Sequence, residues 1–273
     1  MADMPLITTS ELADRLGDPQ LGVVDCRFDL GDTEIGRKNY RAAHIPGAVY
    51  AHLDHDLSAP AGPGRHPLPD VDAFAGWLGA MGIDGDTYVV AYDASGGAFS
   101  SRLWWMLGSL GHRVVKVLDG GWPAWRAAGL PEERGWPELQ STTYITSHLW
   151  TGTVDRREVR SMIGAATLVD ARAAERYRGE IEPLDPVAGH IPSARSYPFA
   201  ASLDEDGRFL TAAALAERFA DLNGDIVSYC GSGVTACHNI LAMELAGITD
   251  VRLYPGSWSD WSTAGETIAT GPD

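Results

Sequence analysis

One stretch of the sequence decides how the rest is interpreted: residues 226–236, Ile-Val-Ser-Tyr-Cys-Gly-Ser-Gly-Val-Thr-Ala. Residues 226–229 form a short, mostly apolar run that predicts a buried strand, and the apolar positions that follow Ala236 recur with the period of a helix. Cys230 is therefore predicted to lie at the carboxyl end of a strand, on a tight loop that leads into a helix.

The loop after Cys230 is suited to hold a negatively charged sulfur atom. Gly231 and Gly233 allow backbone conformations that other residues resist, so successive N–H groups can point at one spot. The start of the following helix adds partial positive charge. A thiol in this loop is expected to lose its proton readily and to act as a nucleophile. A buried structural cysteine is the alternative, and the Gly-x-Gly at this junction argues against it.

A second chemistry uses a similar loop. Protein tyrosine phosphatases place an arginine six residues after the nucleophilic cysteine, where it clamps phosphate in a bidentate fork. Ala236 occupies that position here, so the sequence does not favour phosphatase chemistry.

Composition limits the class of protein. The chain has 273 residues, of which 45% are hydrophobic, and a net charge of −16, which argues against a nucleic-acid partner. No apolar run is long enough to span a membrane. The three cysteines do not form a disulfide framework and fit a reducing cytoplasm. The first residues lack the pattern of a signal peptide, so a cytoplasmic protein is expected.

The order of motifs occurs twice along the chain, which predicts two homologous α/β domains, each a mainly parallel sheet flanked by helices. The expected boundaries are 1–135 for the first domain, 136–150 for a linker and 151–273 for the second domain. In this repeat Asp93 stands where Cys230 stands. An aspartate cannot carry a sulfur atom, so the first domain is predicted to be catalytically inactive.

Five motifs resemble those of the two-domain rhodanese family of sulfurtransferases. The loop from Cys230 to Ala236 is similar, letter by letter, to that of the 3-mercaptopyruvate sulfurtransferases within this family. The resemblance implies tandem rhodanese-like domains and no metal or organic cofactor. The five motifs are Tyr40-x-x-x-His44-Ile-Pro-Gly-Ala48, Asp170-Ala-Arg172, Gly189-His-Ile-Pro192, the Cys230 loop and Tyr254-Pro-Gly-Ser-Trp258.

The resemblance also implies roles for individual residues. Ser232, His66 and Asp54 match a proposed proton relay, and Arg176 matches the arginine that binds the substrate carboxylate. The backbone around Cys230 is expected to contact the sulfur donor through Gly231, Gly233, Val234 and Thr235.

One position departs from the subfamily. Its members often carry a second arginine after a Glu-Pro pair, whereas Leu184 follows Glu182-Pro183 here. Arg178 and Arg195 are the alternatives for this second arginine.

The function predicted from the resemblance is transfer of a sulfane sulfur from 3-mercaptopyruvate, through a Cys230 persulfide, to an acceptor. The acceptor is a thiol, such as that of a thioredoxin-like protein, or cyanide. A thiosulfate sulfurtransferase and a non-catalytic sulfur carrier or regulatory module are the alternatives. The residues after Cys230 are neutral, and Arg176 is the only side-chain cation expected beside them, which favours a donor with a single carboxylate over the thiosulfate dianion.

Several other polar residues are predicted to be structural. His44 and His190 recur in both halves and are expected to bond to backbone, and Asp25 and Asp170 are expected to position Arg27 and Arg172. A metal site among the histidines and aspartates of residues 52–56 is disfavoured because the spacing is that of a loop and no thiolate accompanies it.

Overall fold

The computed structural model describes residues 4–146 and 149–272, and the chain in it forms two compact units. Unit 1 contains the chain up to Ala59, Pro69–Thr151 and Glu205–Phe209. Unit 2 contains Pro60–Leu68, Gly152–Asp204 and the chain from Leu210 onward. Each half of the sequence therefore places one short segment in the unit that is built mainly from the other half.

Unit 1 is an α/β unit. Its strands are β1 (Leu6–Ile7), β2 (Leu21–Asp25), β3 (Val49–Tyr50), β4 (Tyr88–Tyr92) and β5 (Val115–Leu118), and its helices are α1 (Thr9–Arg15), α2 (Ile35–Ala42), α3 (Val71–Ala80), α4 (Ser100–Ser109) and α5 (Gly121–Ala127). Local signals set several helix starts: Thr8 and Glu11 form a capping box at α1, and Asp70 caps α3.

Unit 2 repeats this architecture. Its strands are β6 (Thr167–Asp170), β7 (Arg195–Ser196), β8 (Ile226–Tyr229) and β9 (Arg252–Leu253), and its helices are α6 (Arg156–Met162), α7 (Ala174–Tyr177), α8 (Ala212–Arg218), α9 (Thr235–Leu245) and α10 (Ser257–Thr263), with a 3-10 helix at Phe199–Ser202.

All strand pairs in the two sheets of the described chain are parallel, as predicted from the alternation of strands and helices. The strand order is β1-β5-β4-β2-β3 in unit 1 and β7-β6-β8-β9 in unit 2. The inner strands β4 and β8 are almost continuously apolar because helices cover both faces of a parallel sheet. The loops at the carboxyl ends of parallel strands meet at one edge of the sheet, which is where ligands bind in such folds.

The repeat is visible in individual hydrogen bonds. In each unit an arginine two residues after a strand-end aspartate forms a buried ion pair with it: Arg27 Nη2 to Asp25 Oδ2 is 2.5 Å, and Arg172 Nη2 to Asp170 Oδ2 is 2.6 Å. Each guanidinium also lies 4.6 Å from the ring centre of a tryptophan, Trp122 or Trp258. These pairs hold the loop that follows the strand, in agreement with their predicted structural role.

The repeated histidines are also structural. The Nδ1 atoms of His44 and His190 each lie 2.8 Å from a backbone oxygen, that of Tyr40 and that of Tyr177. Each imidazole stacks on the tyrosine whose oxygen it contacts. Burial lowers the pKa of His190, so this ring is neutral at neutral pH.

Asp93 and Cys230 occupy equivalent positions at the ends of β4 and β8. The backbone oxygen of Asp93 accepts a hydrogen bond from Trp122 N–H (2.8 Å), and that of Cys230 accepts one from Trp258 N–H (3.0 Å). The Asp93 carboxylate is buried and accepts five hydrogen bonds of 2.7–3.0 Å from its own loop. The donors are the backbone N–H groups of Ser95, Gly97, Phe99 and Ser100 and the hydroxyl of Ser100.

Among the helices of the described residues, none combines the length and the apolar character that crossing a membrane requires.

Asp93→Ala is expected to lower the free energy of unfolding by roughly 2–4 kcal/mol, because five donors in a buried loop lose their acceptor. Urea unfolding followed by circular dichroism measures the change. Asp86→Ala is the control, since the Asp86 side chain is 77% exposed and pairs with an equally exposed Arg113. The control should stay within about 0.5 kcal/mol of the wild type. Equal stability of the two variants would contradict the role assigned to Asp93.

Candidate active site

Cys230 lies directly after β8, and the loop that it begins leads into α9 at Thr235. Strands β6 and β9 flank β8, so the cysteine sits at the carboxyl edge of the sheet in unit 2. Its side chain is largely buried, and the residue is 2% exposed. The predicted strand–loop–helix setting of Cys230 is therefore present.

The turn that begins α10 fixes the cysteine loop. The N–H of Cys230 donates to Ser257 Oγ (3.1 Å), and Ser259 N–H donates to the backbone oxygen of Gly231 (2.9 Å). Gly233 adopts a φ of +78°, and a Cβ at this position would lie 2.5 Å from the backbone oxygen of Pro255. Glycine is therefore required at position 233 both by conformation and by space.

The backbone donors of this loop are available to a ligand. Within residues 4–146 and 149–272, no hydrogen bond engages the N–H of Gly231, Ser232, Val234 or Thr235. In the equivalent loop of unit 1, four N–H groups and one hydroxyl point at the Asp93 carboxylate. The comparison indicates that this loop type can surround one anionic group, which in unit 2 would be the sulfur of Cys230 or a donor bound to it.

The predicted serine–histidine pair is formed. Ser232 Oγ and His66 Nδ1 are 2.7 Å apart, and both residues are buried. His66 precedes the second half of the sequence by many residues but belongs to unit 2, because Pro60–Leu68 packs there.

Close backbone packing holds the segment that carries His66. Arg65 N–H donates to Ser259 Oγ (3.0 Å). Gly64 has a φ of +82°, and a Cβ on it would lie only 2.4 Å from the backbone oxygen of Gly256. Ser259 thus contacts both the cysteine loop and the segment that carries His66.

Asp54, the third predicted relay residue, belongs to unit 1. Its N–H donates to His52 Nδ1 at 3.1 Å. Its place in the relay stays a prediction.

Arg176 lies beside the cysteine loop, as its predicted role requires. A Cβ placed on Gly231 would be 3.5 Å from Arg176 Nη2 and 3.6 Å from Arg176 Nη1. Arg176 is oriented by Glu182, to which its Nη2 donates at 2.6 Å, and it also pairs with Asp185 at 3.4 Å.

A second arginine at the loop was not found from the sequence. Arg65 Nη2 lies 2.8 Å from the same Cβ position of Gly231, closer than either terminal nitrogen of Arg176. Its Nη1 forms an ion pair with Asp185, whose side chain is 3% exposed. Arg176 is therefore not the only cation beside Gly231, the residue that follows Cys230. The signal that would have identified Arg65 is its position directly before His66, a residue that the resemblance had already placed in the site.

The charges around this part of the site are balanced. Burial by itself raises the pKa of Glu182, but the hydrogen bonds from Arg176 and from the N–H of Leu184, together with the positive charges of Arg176 and Arg172, outweigh it. The pKa is therefore held below the ordinary value, and Glu182 is ionised at neutral pH. Three guanidinium groups and three carboxylates form one connected network, made of Arg65, Arg172, Arg176, Asp170, Glu182 and Asp185.

The two arginines named as alternatives for the second position have other partners. Arg178 is paired with the exposed Glu180 at 2.7 Å, and Arg195 is paired with Asp221 at 3.2 Å. Leu184, at the position where the subfamily often has arginine, is 43% exposed. Arg65, in contrast, lies beside Gly231.

One group of side chains has the composition of a metal site. Ligand atoms of Glu34, His52 and His55 lie within 4.8 Å of one another. Both ring nitrogens of His52 are already engaged, since Nδ1 accepts from Asp54 N–H and Nε2 lies 3.0 Å from the backbone oxygen of Thr33. A metal ion at His52 would have to displace one of these contacts.

Cys26 and Cys237 are buried, as Cys230 is, but neither lies on the loop between β8 and α9: Cys26 directly follows β2, and Cys237 is part of α9. Burial, together with the charge of Asp93, raises the pKa of the Cys26 thiol well above its ordinary value. A thiol of this kind is unreactive.

Comparison with known proteins identifies the family. The profile of the Rhodanese-like domain matches residues 8–128 and 155–264. A protein of Pseudomonas aeruginosa named "Probable 3-mercaptopyruvate sulfurtransferase" is 47% identical over 99% of this chain and its own full length. The thiosulfate sulfurtransferase of Bos taurus is 36% identical over 94% of this chain and 91% of its own. The solved structure of 3-mercaptopyruvate sulfurtransferase from Leishmania major is 33% identical, covers 97% of this chain and 76% of its own, and superposes with a TM-score of 0.84.

Gly64→Ala is expected to destabilise the protein more than Gly224→Ala does. Both glycines have a positive φ, +82° and +73°, but only the first would place its Cβ against another backbone atom. Gly224→Ala should therefore cost about 1 kcal/mol of strain, and Gly64→Ala that strain plus the clash. Denaturant unfolding of the two variants gives the difference, and equal costs would show that the segment of His66 is not held as tightly as the structure indicates.

Proposed function

The chain belongs to the family of proteins with rhodanese-like domains, and we propose that it is a sulfurtransferase in which Cys230 carries the sulfur. The observation that carries this proposal is the combination, in unit 2, of a cysteine at a strand end, a loop of available N–H donors and the Ser232–His66 pair. A purely structural cysteine requires none of these partners.

The first half of the reaction forms a persulfide on Cys230. The Cys230 thiolate attacks the sulfur of 3-mercaptopyruvate, a new S–S bond forms, and the C–S bond of the donor breaks. The electron pair of that bond passes to the carbon, which gives the enolate of pyruvate. The N–H groups of Gly231, Ser232, Val234 and Thr235 support the negative charge on the sulfur atoms.

The enolate requires a proton at carbon before pyruvate can leave. In this proposal the Ser232 hydroxyl donates that proton. Ser232 is then reprotonated by His66, whose Nδ1 lies 2.7 Å from the Ser232 hydroxyl oxygen. The tautomer and the charge of His66 alternate as the proton passes. Asp54 is the proposed third member of the relay.

The electrostatics support a donor with one negative charge near the loop. Gly231 and Ser232 are neutral, and the carboxylates of Glu182 and Asp185 offset the guanidinium groups beside them. A compact dianion such as thiosulfate would gain little net positive charge there. The carboxylate of 3-mercaptopyruvate needs only local donors, which Arg176 provides.

In the second half of the reaction an acceptor takes the outer sulfur. A thiolate, for example that of a thioredoxin-like protein, attacks the outer sulfur atom of the persulfide and releases the Cys230 thiolate. Cyanide can take the same sulfur and form thiocyanate. The three cysteines of the sequence are too few for a disulfide framework, which supports a reducing compartment, and we propose that this is the cytoplasm.

Incubation with 3-mercaptopyruvate, followed by intact-mass measurement, should show one added sulfur atom on the wild type and release of pyruvate. Cys230→Ser should show neither, whereas Cys26→Ser should retain both because Cys26 is buried beside carboxylates. A Cys230→Ser protein that still gained the sulfur atom would overturn the assignment. If the wild type gains no sulfur atom and turns over neither 3-mercaptopyruvate nor thiosulfate, the result would instead favour the non-catalytic module.

Ser232→Ala should reduce kcat/KM for 3-mercaptopyruvate by about 10²–10⁴-fold, since it removes the proton donor, and should affect turnover of thiosulfate far less. Steady-state kinetics with both donors measure the two effects. The exposed Ser161→Ala is the matched control and should leave both unchanged. Wild-type activity with thiosulfate that equals or exceeds activity with 3-mercaptopyruvate would refute the choice of donor but leave sulfur transfer standing.

A further inference from the structure

The loop of residues 181–187, which follows α7, turns its acidic side chains inward and its apolar residues outward. Its sequence is Ile-Glu-Pro-Leu-Asp-Pro-Val, so a triplet of apolar, acidic and proline residues occurs twice before Val187. The side chains of Glu182 and Asp185 are almost fully buried, whereas the other five residues of the loop are exposed. Surface loops ordinarily show the opposite arrangement, because charged side chains favour water.

Contacts with the candidate site explain why the acidic side chains face inward. Arg176 Nη2 donates to Glu182 at 2.6 Å and also pairs with Asp185 at 3.4 Å. The end of the loop is held as well, since Trp258 Nε1 donates to the backbone oxygen of Val187 at 2.9 Å. The loop is therefore fixed from the inside, and its outer surface is ordered before any partner binds.

Three large apolar side chains form most of that outer surface. Ile181 is 51% exposed, Leu184 43% and Val187 40%, and the two prolines between them are also exposed. Single exposed apolar residues are common on proteins, but five among seven consecutive residues are a concentration that marks an interaction site. We refer to these five exposed residues as the 181–187 patch.

We propose that the 181–187 patch is the docking surface for a protein that carries the acceptor thiol. This inference rests on the proposed function, which it extends by naming the chemistry of the partner and the place where it binds. The acceptor must reach the sulfur on Cys230. The loop borders that site through Arg176, whose Nη2 lies 3.5 Å from the Cβ position of Gly231. Cyanide and small thiols are too small to cover five apolar residues, whereas a folded protein with its cysteine on an apolar surface can cover them.

The charges beside the patch indicate how the partner is recognised. Arg178 and Glu180, which directly precede the patch, pair with each other at 2.7 Å. Glu182 and Asp185 point away from solvent and are paired with arginine. Docking is therefore expected to depend on apolar contact inside a polar rim, and not on ion pairs with the partner.

The first test is kinetic and uses reduced thioredoxin as the protein acceptor and cyanide as the small one. A chain with both Ile181→Ser and Leu184→Ser should lose about 10–50-fold in kcat/KM for thioredoxin, because two half-exposed apolar side chains no longer become buried at the interface. Its kcat/KM for cyanide should equal that of the wild type. Leu30→Ser is the matched control, since Leu30 is 53% exposed but belongs to unit 1, and it should change neither value.

The second test does not depend on sulfur transfer. Isotope-labelled reduced thioredoxin is titrated with the full chain carrying Cys230→Ser, which prevents thiol chemistry, and the Kd is obtained from the nuclear magnetic resonance shifts of thioredoxin. Adding Ile181→Ser and Leu184→Ser should raise the Kd by the same factor as it lowers kcat/KM. Adding Leu30→Ser should leave the Kd unchanged. Melting temperatures show that the variants are folded.

The outcomes separate this proposal from its alternatives. No binding of thioredoxin, or equal Kd and kcat/KM values with and without the two serine substitutions, would overturn the docking surface. A wild type that is a dimer by size-exclusion chromatography, and that Ile181→Ser with Leu184→Ser converts to a monomer, would assign the patch to a second copy of this chain and also overturn the proposal. Binding through the patch by a protein that forms no persulfide would uphold the docking surface and reject the sulfurtransferase proposal.

Discussion

The unit that carries Cys230 depends on one constraint: a loop between a buried strand and a helix leaves backbone N–H groups that need a negative partner. In unit 1 that partner is the Asp93 carboxylate, which takes five hydrogen bonds. In unit 2 the equivalent residue is Cys230, a smaller side chain, and the N–H groups of Gly231, Ser232, Val234 and Thr235 form no hydrogen bond within the part of the chain that the structure describes. The loop at this position therefore stabilises the fold in unit 1 through a side chain of the protein itself, and the proposed function assigns the loop of unit 2 to a substrate.

The fold could be predicted to a large extent because its signals are local. The alternation of apolar strands with helices gave the parallel sheets, and the strand at Ile226–Tyr229 lies where the apolar run indicated. The repeat of motifs gave two units of the same architecture. The exchange of short segments between the halves could not be predicted. It depends on contacts such as the one between Gly64 and Gly256, which are far apart in the sequence.

Some residues of the candidate site were predicted from the sequence, and others were missed because their contacts join distant parts of the chain. Ser232 and His66 do meet, and Arg176 does lie beside Gly231, as the family resemblance implied. Arg65 was missed although it directly precedes His66. Asp185 was missed because no periodicity or spacing links it to Arg65, with which it pairs across a long stretch of chain. Ser257 and Ser259 were missed for a similar reason: their hydroxyl groups support the cysteine loop and the segment of His66, roles that a serine in a turn does not reveal.

Because Pro60–Leu68 belongs to unit 2, the first half of the sequence cannot be removed without changing unit 2. A duplicated domain that has lost its nucleophile would ordinarily be dispensable, and a gene could shed it by a single truncation. Here that truncation would also remove Arg65 and His66, because both are encoded within the first half of the sequence. Deleting the first half of the gene would therefore also delete part of unit 2. The chain forms two compact units, but its gene cannot be cut between them without loss to the second unit.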